Sequence, residues 1–100
     1  MSRSTVALLE TAHEQVVDDY QKILQKARAK QFLARGKTTI LKDNISWHFY
    51  YPGANSTPWQ LEGTIRGLKK QGFEDLVAVH NNTVVTNPFK GDRLNKFGAV

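Results

Sequence analysis

Cysteine is absent from this chain, which excludes disulfides, thiolate-held zinc or iron–sulfur clusters and a thiol nucleophile within it. Its three histidines, His13, His48 and His80, fall in separate segments without the local spacing of a zinc site, so no metal is expected. No run of about 18 apolar residues is present to span a bilayer, and Met1 to Ala12 lacks the basic-then-apolar order of a signal peptide. A soluble, cytoplasmic protein is the expectation. The asparagine sequons at Asn44, Asn55 and Asn81 are then read as chance. Acidic residues are missing altogether between Tyr20 and Lys42. Also missing are the Gly-x-Ser-x-Gly nucleophile turn, the phosphate-cradling Gly-x4-Gly-Lys loop and the Gly-x-Gly-x-x-Gly dinucleotide turn. No reaction can therefore be assigned, and a lone Asp43 near a strand end is no acid–base pair.

What is there fits one small core, since 100 residues with 40% hydrophobic composition can bury roughly two thirds of their unfolded surface. Four acids, Glu10, Glu14, Asp18 and Asp19, precede a basic series of Lys22, Lys26, Arg28, Lys30, Arg35, Lys37 and Lys42. That order suits a helix dipole. Leu9, Ala12, Val16, Tyr20, Ile23, Leu24 and Ala27 recur at three and four, the spacing of one helical face. The spacing predicts a long amphipathic helix over 5–33, capped by Ser4 or Thr5 and stopped by Gly36. It forms a first unit, 1–36.

The second unit, 37–100, opens with the strand formers Thr38 to Leu41, predicting a strand that runs through Ile45 to Trp47. A loop with Pro52-Gly53 follows. Thr57-Pro58-Trp59-Gln60 is a helix start: Thr57 can cap, Pro58 loses no bond at the first helical position, and Gln60 can reach back. Leu61, Ile65 and Leu68 make the core face, Glu62, Arg66, Lys69 and Lys70 the outer one, and Gly72 the stop. Leu76 to Val79 predicts a strand covered on both faces. Strand, helix, strand predicts an α/β fold with a parallel or mixed short sheet. Thr83 to Thr86 reads as one more β run, and the ending at Phe97 to Val100 reads as that of a chain that continues into a larger α/β protein.

In an open parallel sheet, ligands sit beyond the carboxyl ends of the strands, where loops enter helix N-termini. That rule makes Lys42, Asn44, Ser56 and Thr57 the expected contacts for a small anionic or polar ligand, with His80 and Asn82 as outer candidates. The bland alternative is that Ser56 and Thr57 only cap the helix and that His80 and Asn82 only form a turn. The aromatic group Trp47, Phe49, Tyr50, Tyr51 and Trp59 packs a core or walls a pocket.

A net charge of +5 with a basic stretch around Phe32 raises nucleic-acid binding as a second class, although a dipole-satisfying helix would look the same. A structural dimer through the first helix is a third.

Ile40-Leu41-Lys42-Asp43-Asn44-Ile45-Ser46, then Tyr51-Pro52-Gly53-Ala54-Asn55-Ser56-Thr57-Pro58-Trp59, then a helix ending Gly72-Phe73, resemble the N-terminal part of the family called domain of unknown function 362. Lys42 and Asn44 match the ends of its Lys-Pro-Asn motif, with Asp43 in place of the proline, while Gly53, Ala54, Ser56 and Thr57 match its loop. The resemblance spans roughly positions 37–80 and implies an α/β fold. It implies no secure reaction. Members are often described as iron–sulfur proteins, and such a cluster would belong to a C-terminal part with cysteines that this chain lacks, as the catalytic part of a redox-linked enzyme.

Overall fold

The β-α-β unit forms where the local signals stand. In the computed structural model, which describes residues 3–46, 49, 52–80 and 93, the elements are α1 (Val16–Lys26), α2 (Ala29–Phe32), β1 (Thr39–Asp43), α3 (Pro58–Lys70) and β2 (Leu76–His80). α3 starts on a complete capping box: the Thr57 hydroxyl accepts from the Gln60 amide, and the Gln60 side chain accepts from the Thr57 amide. It ends as expected at Gly72, whose φ of +94° is the left-handed region that glycine enters without a Cβ clash. The amides of Gly72 and Phe73 donate to the carbonyls of Lys69 and Leu68, closing a Schellman motif in which Leu68 and Phe73 are both buried. Arg35 reinforces this end, donating to the Gln71 carbonyl at 2.9 Å with its guanidinium 5.3 Å from the Phe73 ring centroid.

β1 and β2 pair in parallel with Thr39 opposite Leu76, Leu41 opposite Ala78 and Asp43 opposite His80. The Thr38 hydroxyl donates to Asp75, and the Thr39 amide donates to the Asp75 carbonyl, which sets this register at its N-terminal end. One face of the sheet takes α3: Leu41 and Ile65 pack on buried Ile45 and Leu61. The opposite face carries Ile40, Val77 and Val79, all exposed. β2 has no buried residue, only Leu76 and His80 being half-buried, against the expectation of a strand covered on both faces. The other long helix, α1, packs on α3 and leaves the second sheet face open among the described residues. β1 also ends at Asp43 and does not run on through Ile45, because the chain turns there: the Ser56 amide donates to the Asn44 carbonyl at 2.7 Å. The β run expected at 83–86 lies outside the described residues.

The long first helix is an 11-residue α1 followed by a single turn, α2. The reason lies in its partner. A Cβ built on Gly63 would meet Tyr20, and one built on Gly67 would meet Leu24 and Gln21, so two glycines a turn apart let the helices approach closely. The four-residue step from Tyr20 to Leu24 matches the step from Gly63 to Gly67, so the helices run parallel, with Val16 abreast of the start of α3 and Lys26 abreast of its end. Helices in proteins persist where an amphipathic face is buried, and a helix continued back from Val16 would run past the start of α3. Ser4 and Thr5 consequently cap nothing. At the other end Arg28, at φ +58°, takes the left-handed conformation and breaks the helical path.

The segment before α1 runs beside it instead. The Thr11 hydroxyl donates to the Asp19 carboxylate at 2.6 Å, and Lys26 donates to the Leu8 carbonyl at 3.4 Å. Asp19 is buried and also meets Lys22 at 3.2 Å. The Thr11 hydrogen bond holds its carboxyl below the ordinary carboxylate range, with Lys22 acting in the same sense and burial against both. No helix among the described residues is long and apolar enough to cross a membrane.

Candidate functional site

Parallel pairing brings the carboxyl ends of β1 and β2, the loop after β1 and the N-terminus of α3 to one edge. Within that edge the predicted residues take different parts. Asn44 is a staple of the loop: its side-chain amide donates to the Ser46 hydroxyl at 2.8 Å and to the Ala54 carbonyl at 2.7 Å. Buried Asn55 does the same from the other side, accepting from the Ser46 amide and donating to the Phe49 carbonyl. Thr57 is buried and spends both hydroxyl functions on Gln60. It is the helix cap. Ser56 accepts from the Asn44 amide at 2.9 Å, which leaves its own hydroxyl proton to donate. The amides of Ser56 and Thr57 are bonded within the loop and the cap, so this helix start does not present an empty nest of N–H groups.

Two of the predicted residues, Lys42 and Ser56, share a cleft. Together with Tyr20, Gln60 and Thr64 they line a cleft of about 280 Å³ between β1, the first turns of α3 and α1, with Ile40, Leu41, Asp43 and Leu61 completing its walls. The backbone contributes too. The Thr39 amide points at β2, so by the alternation of a parallel ladder the amides and carbonyls of Ile40, Lys42 and Asn44 point the other way, along the edge of β1 that no described strand covers. Asn44 satisfies its pair on Ser56, while Ile40 and Lys42 turn theirs toward the cleft side. Lys42 is exposed, and nothing among the described residues pairs with its ammonium.

A larger groove of about 510 Å³ runs between α3 and β2, where Arg66 reaches Glu62 at 2.7 Å and Lys69 and Glu74 have no partner among the described residues, over apolar Leu41, Ile65, Leu76 and Ala78. His80 stands abreast of Asp43 at the carboxyl end of β2, with its Nδ1 buried and without a hydrogen-bond partner. It does not line the cleft. Asn82 lies outside the described residues. Among the described residues no group of three or more His, Asp or Glu could hold a metal ion.

Tyr20, Gln60 and Thr64 were not among the residues that sequence reasoning selects for the site. Gln60 and Thr64 carry a readable signal, since positions four apart on a helix share a face. Tyr20 carries none, because it reaches the cleft only through the packing of α1 on α3.

Comparison with known proteins returns no matching family model, no matching curated protein and no matching solved structure.

Proposed function

We propose that this protein binds a small anionic or polar ligand in the cleft at the edge of β1 that no described strand covers. The supporting observation is that Lys42 and Ser56 line one cleft with Tyr20, Gln60 and Thr64. In this reading the Lys42 ammonium supplies the charge, the Ser56 hydroxyl donates, and Gln60 and Thr64 fix orientation through amide and hydroxyl. Asn44 acts behind Ser56 by holding the loop, and Thr57 by holding the helix start.

The size suits a small ligand, because pockets for drug-sized molecules begin at about 300 Å³. Inorganic phosphate or a short carboxylate fits that class. Asp43 also lines the cleft, and its carboxylate would repel an anion placed beside it, which directs the ligand toward the Lys42 and Ser56 side. The alternative of a redox-linked enzyme segment rests on the family resemblance and draws on no feature of the fold.

Titration of the labelled protein with inorganic phosphate, followed by amide NMR shifts, tests the proposal. Shifts are expected at Lys42, Ser56, Gln60 and Thr64, and Lys42→Ala, a change at an exposed side chain, should abolish them with the rest of the spectrum preserved. Shifts located elsewhere, or shifts unchanged by Lys42→Ala, would overturn it.

A further inference from the structure

The basic stretch after Tyr20 divides into two groups once its contacts are known. Lys22 pairs with Asp19, Lys26 with the Leu8 carbonyl, and Arg35 with the Gln71 carbonyl and the Phe73 ring. Those three cations serve the fold. Arg28, Lys30 and Lys37 are exposed and have no partner among the described residues. The parallel course of α1 and α3 adds Lys70, also exposed, at the same end of the molecule, since the last turns of the two helices lie abreast.

Cations at two helix C-termini satisfy the dipoles with no ligand at all. That account leaves one fact over. Phe32, at the end of α2 and between Lys30 and Lys37 in the sequence, is 75% exposed. No helix dipole requires a phenyl ring at that place. Arg35 ties the connector after α2 to the end of α3.

We infer that this end of the molecule binds single-stranded nucleic acid, with a base stacked on Phe32 and with Arg28, Lys30, Lys37 and Lys70 on the flanking phosphates. An exposed aromatic ring beside unpaired cations is the pairing of stacking platform and charge that single strands need; the nearby acids Glu74 and Asp75 follow α3, with Asp75 engaged by Thr38. Duplex recognition would require an element entering a groove, and α2 is a single turn. The surface is distinct from the cleft at β1, where Lys42 lies.

The test uses the full chain and a fluorescently labelled oligouridylate, with anisotropy read across a salt series. Four phosphate contacts predict a slope of about −3 in log affinity against log salt. Phe32→Ala should weaken binding about fivefold or more while leaving that slope unchanged. Lys30→Gln with Lys37→Gln should roughly halve the slope. Because all three side chains are exposed, unchanged circular dichroism melts are expected for both variants. Binding indifferent to Phe32→Ala, or a slope indifferent to the lysine changes, would overturn the inference. So would Phe32-dependent binding to phosphatidylserine vesicles with no affinity for the oligonucleotide, which would assign the surface to membranes.

Discussion

Replacing Gly63 by alanine adds one methyl group where α1 and α3 touch. A Cβ at that position would stand 2.6 Å from Tyr20 Cδ2 and 2.8 Å from both Cβ and Cγ. The ring can rotate away, but Tyr20 Cβ is fixed to the α1 backbone, so the helices must separate. Overpacking of this kind costs about 1–3 kcal/mol. Opposing it, alanine is favoured over glycine in a helix interior by about 0.8–1.0 kcal/mol. With a backbone-anchored Cβ in the way the upper part of that range applies, about 2–3 kcal/mol, so the steric effect wins and the expected net loss is about 1–2 kcal/mol. For a domain of this size that lowers the thermal midpoint by roughly 4–15 °C.

Circular dichroism melts and urea titrations of wild type and Gly63→Ala measure it directly. Gly67→Ala should cost less, because its shortest contact, 2.8 Å, is with the movable Leu24 Cδ1, while the Gln21 backbone stands at 3.1 Å. In a Tyr20→Ala background two of the three Gly63 contacts vanish and Cβ remains, so the Gly63→Ala penalty should shrink without disappearing. A Gly63→Ala protein as stable as wild type, or more stable by the propensity difference, would refute the close parallel packing and with it the account of where α1 begins and ends.

Thr57→Ala removes the cap hydroxyl and should lower stability by about 1 kcal/mol in a urea titration, with Thr57→Ser restoring most of it. The Asp19 carboxyl, held low by Thr11, adds stability that is fully present above its unfolded pKa and is lost as pH falls through its lower folded value. Thr11→Val removes the largest cause of that shift, so stability measured against pH should fall less steeply on the acid side. An identical acid limb in wild type and variant would show that the Thr11 hydrogen bond does not form.

Much of the β-α-β unit is legible because its determinants are adjacent in sequence. Thr57, Pro58 and Gln60 start α3, Gly72 ends it, and the four- and three-residue steps of Leu61, Ile65 and Leu68 name its buried face before any partner is known. Gly63 and Gly67 mislead for the same reason. Read locally, two glycines weaken a helix, whereas their use is to admit Tyr20 and Leu24. The candidate site divides similarly. Lys42, Asn44, Ser56 and Thr57 follow from the rule for parallel sheets, but which of them faces a cleft and which is consumed in holding the loop depends on hydrogen bonds across the turn.

By itself the sequence determined where α3 starts and stops, the order strand, helix, strand, and the concentration of positive charge after Tyr20. These depend on capping, periodicity and composition, all properties of neighbouring residues. Only the tertiary structure decided the length of α1, the open second face of the sheet, the entry of Tyr20 into the β1 cleft, and which cations stay unpaired around Phe32. Each of these is set by where a distant surface happens to end. A helix is held only as far as its partner extends, and a charge is free only if the fold brings nothing to meet it.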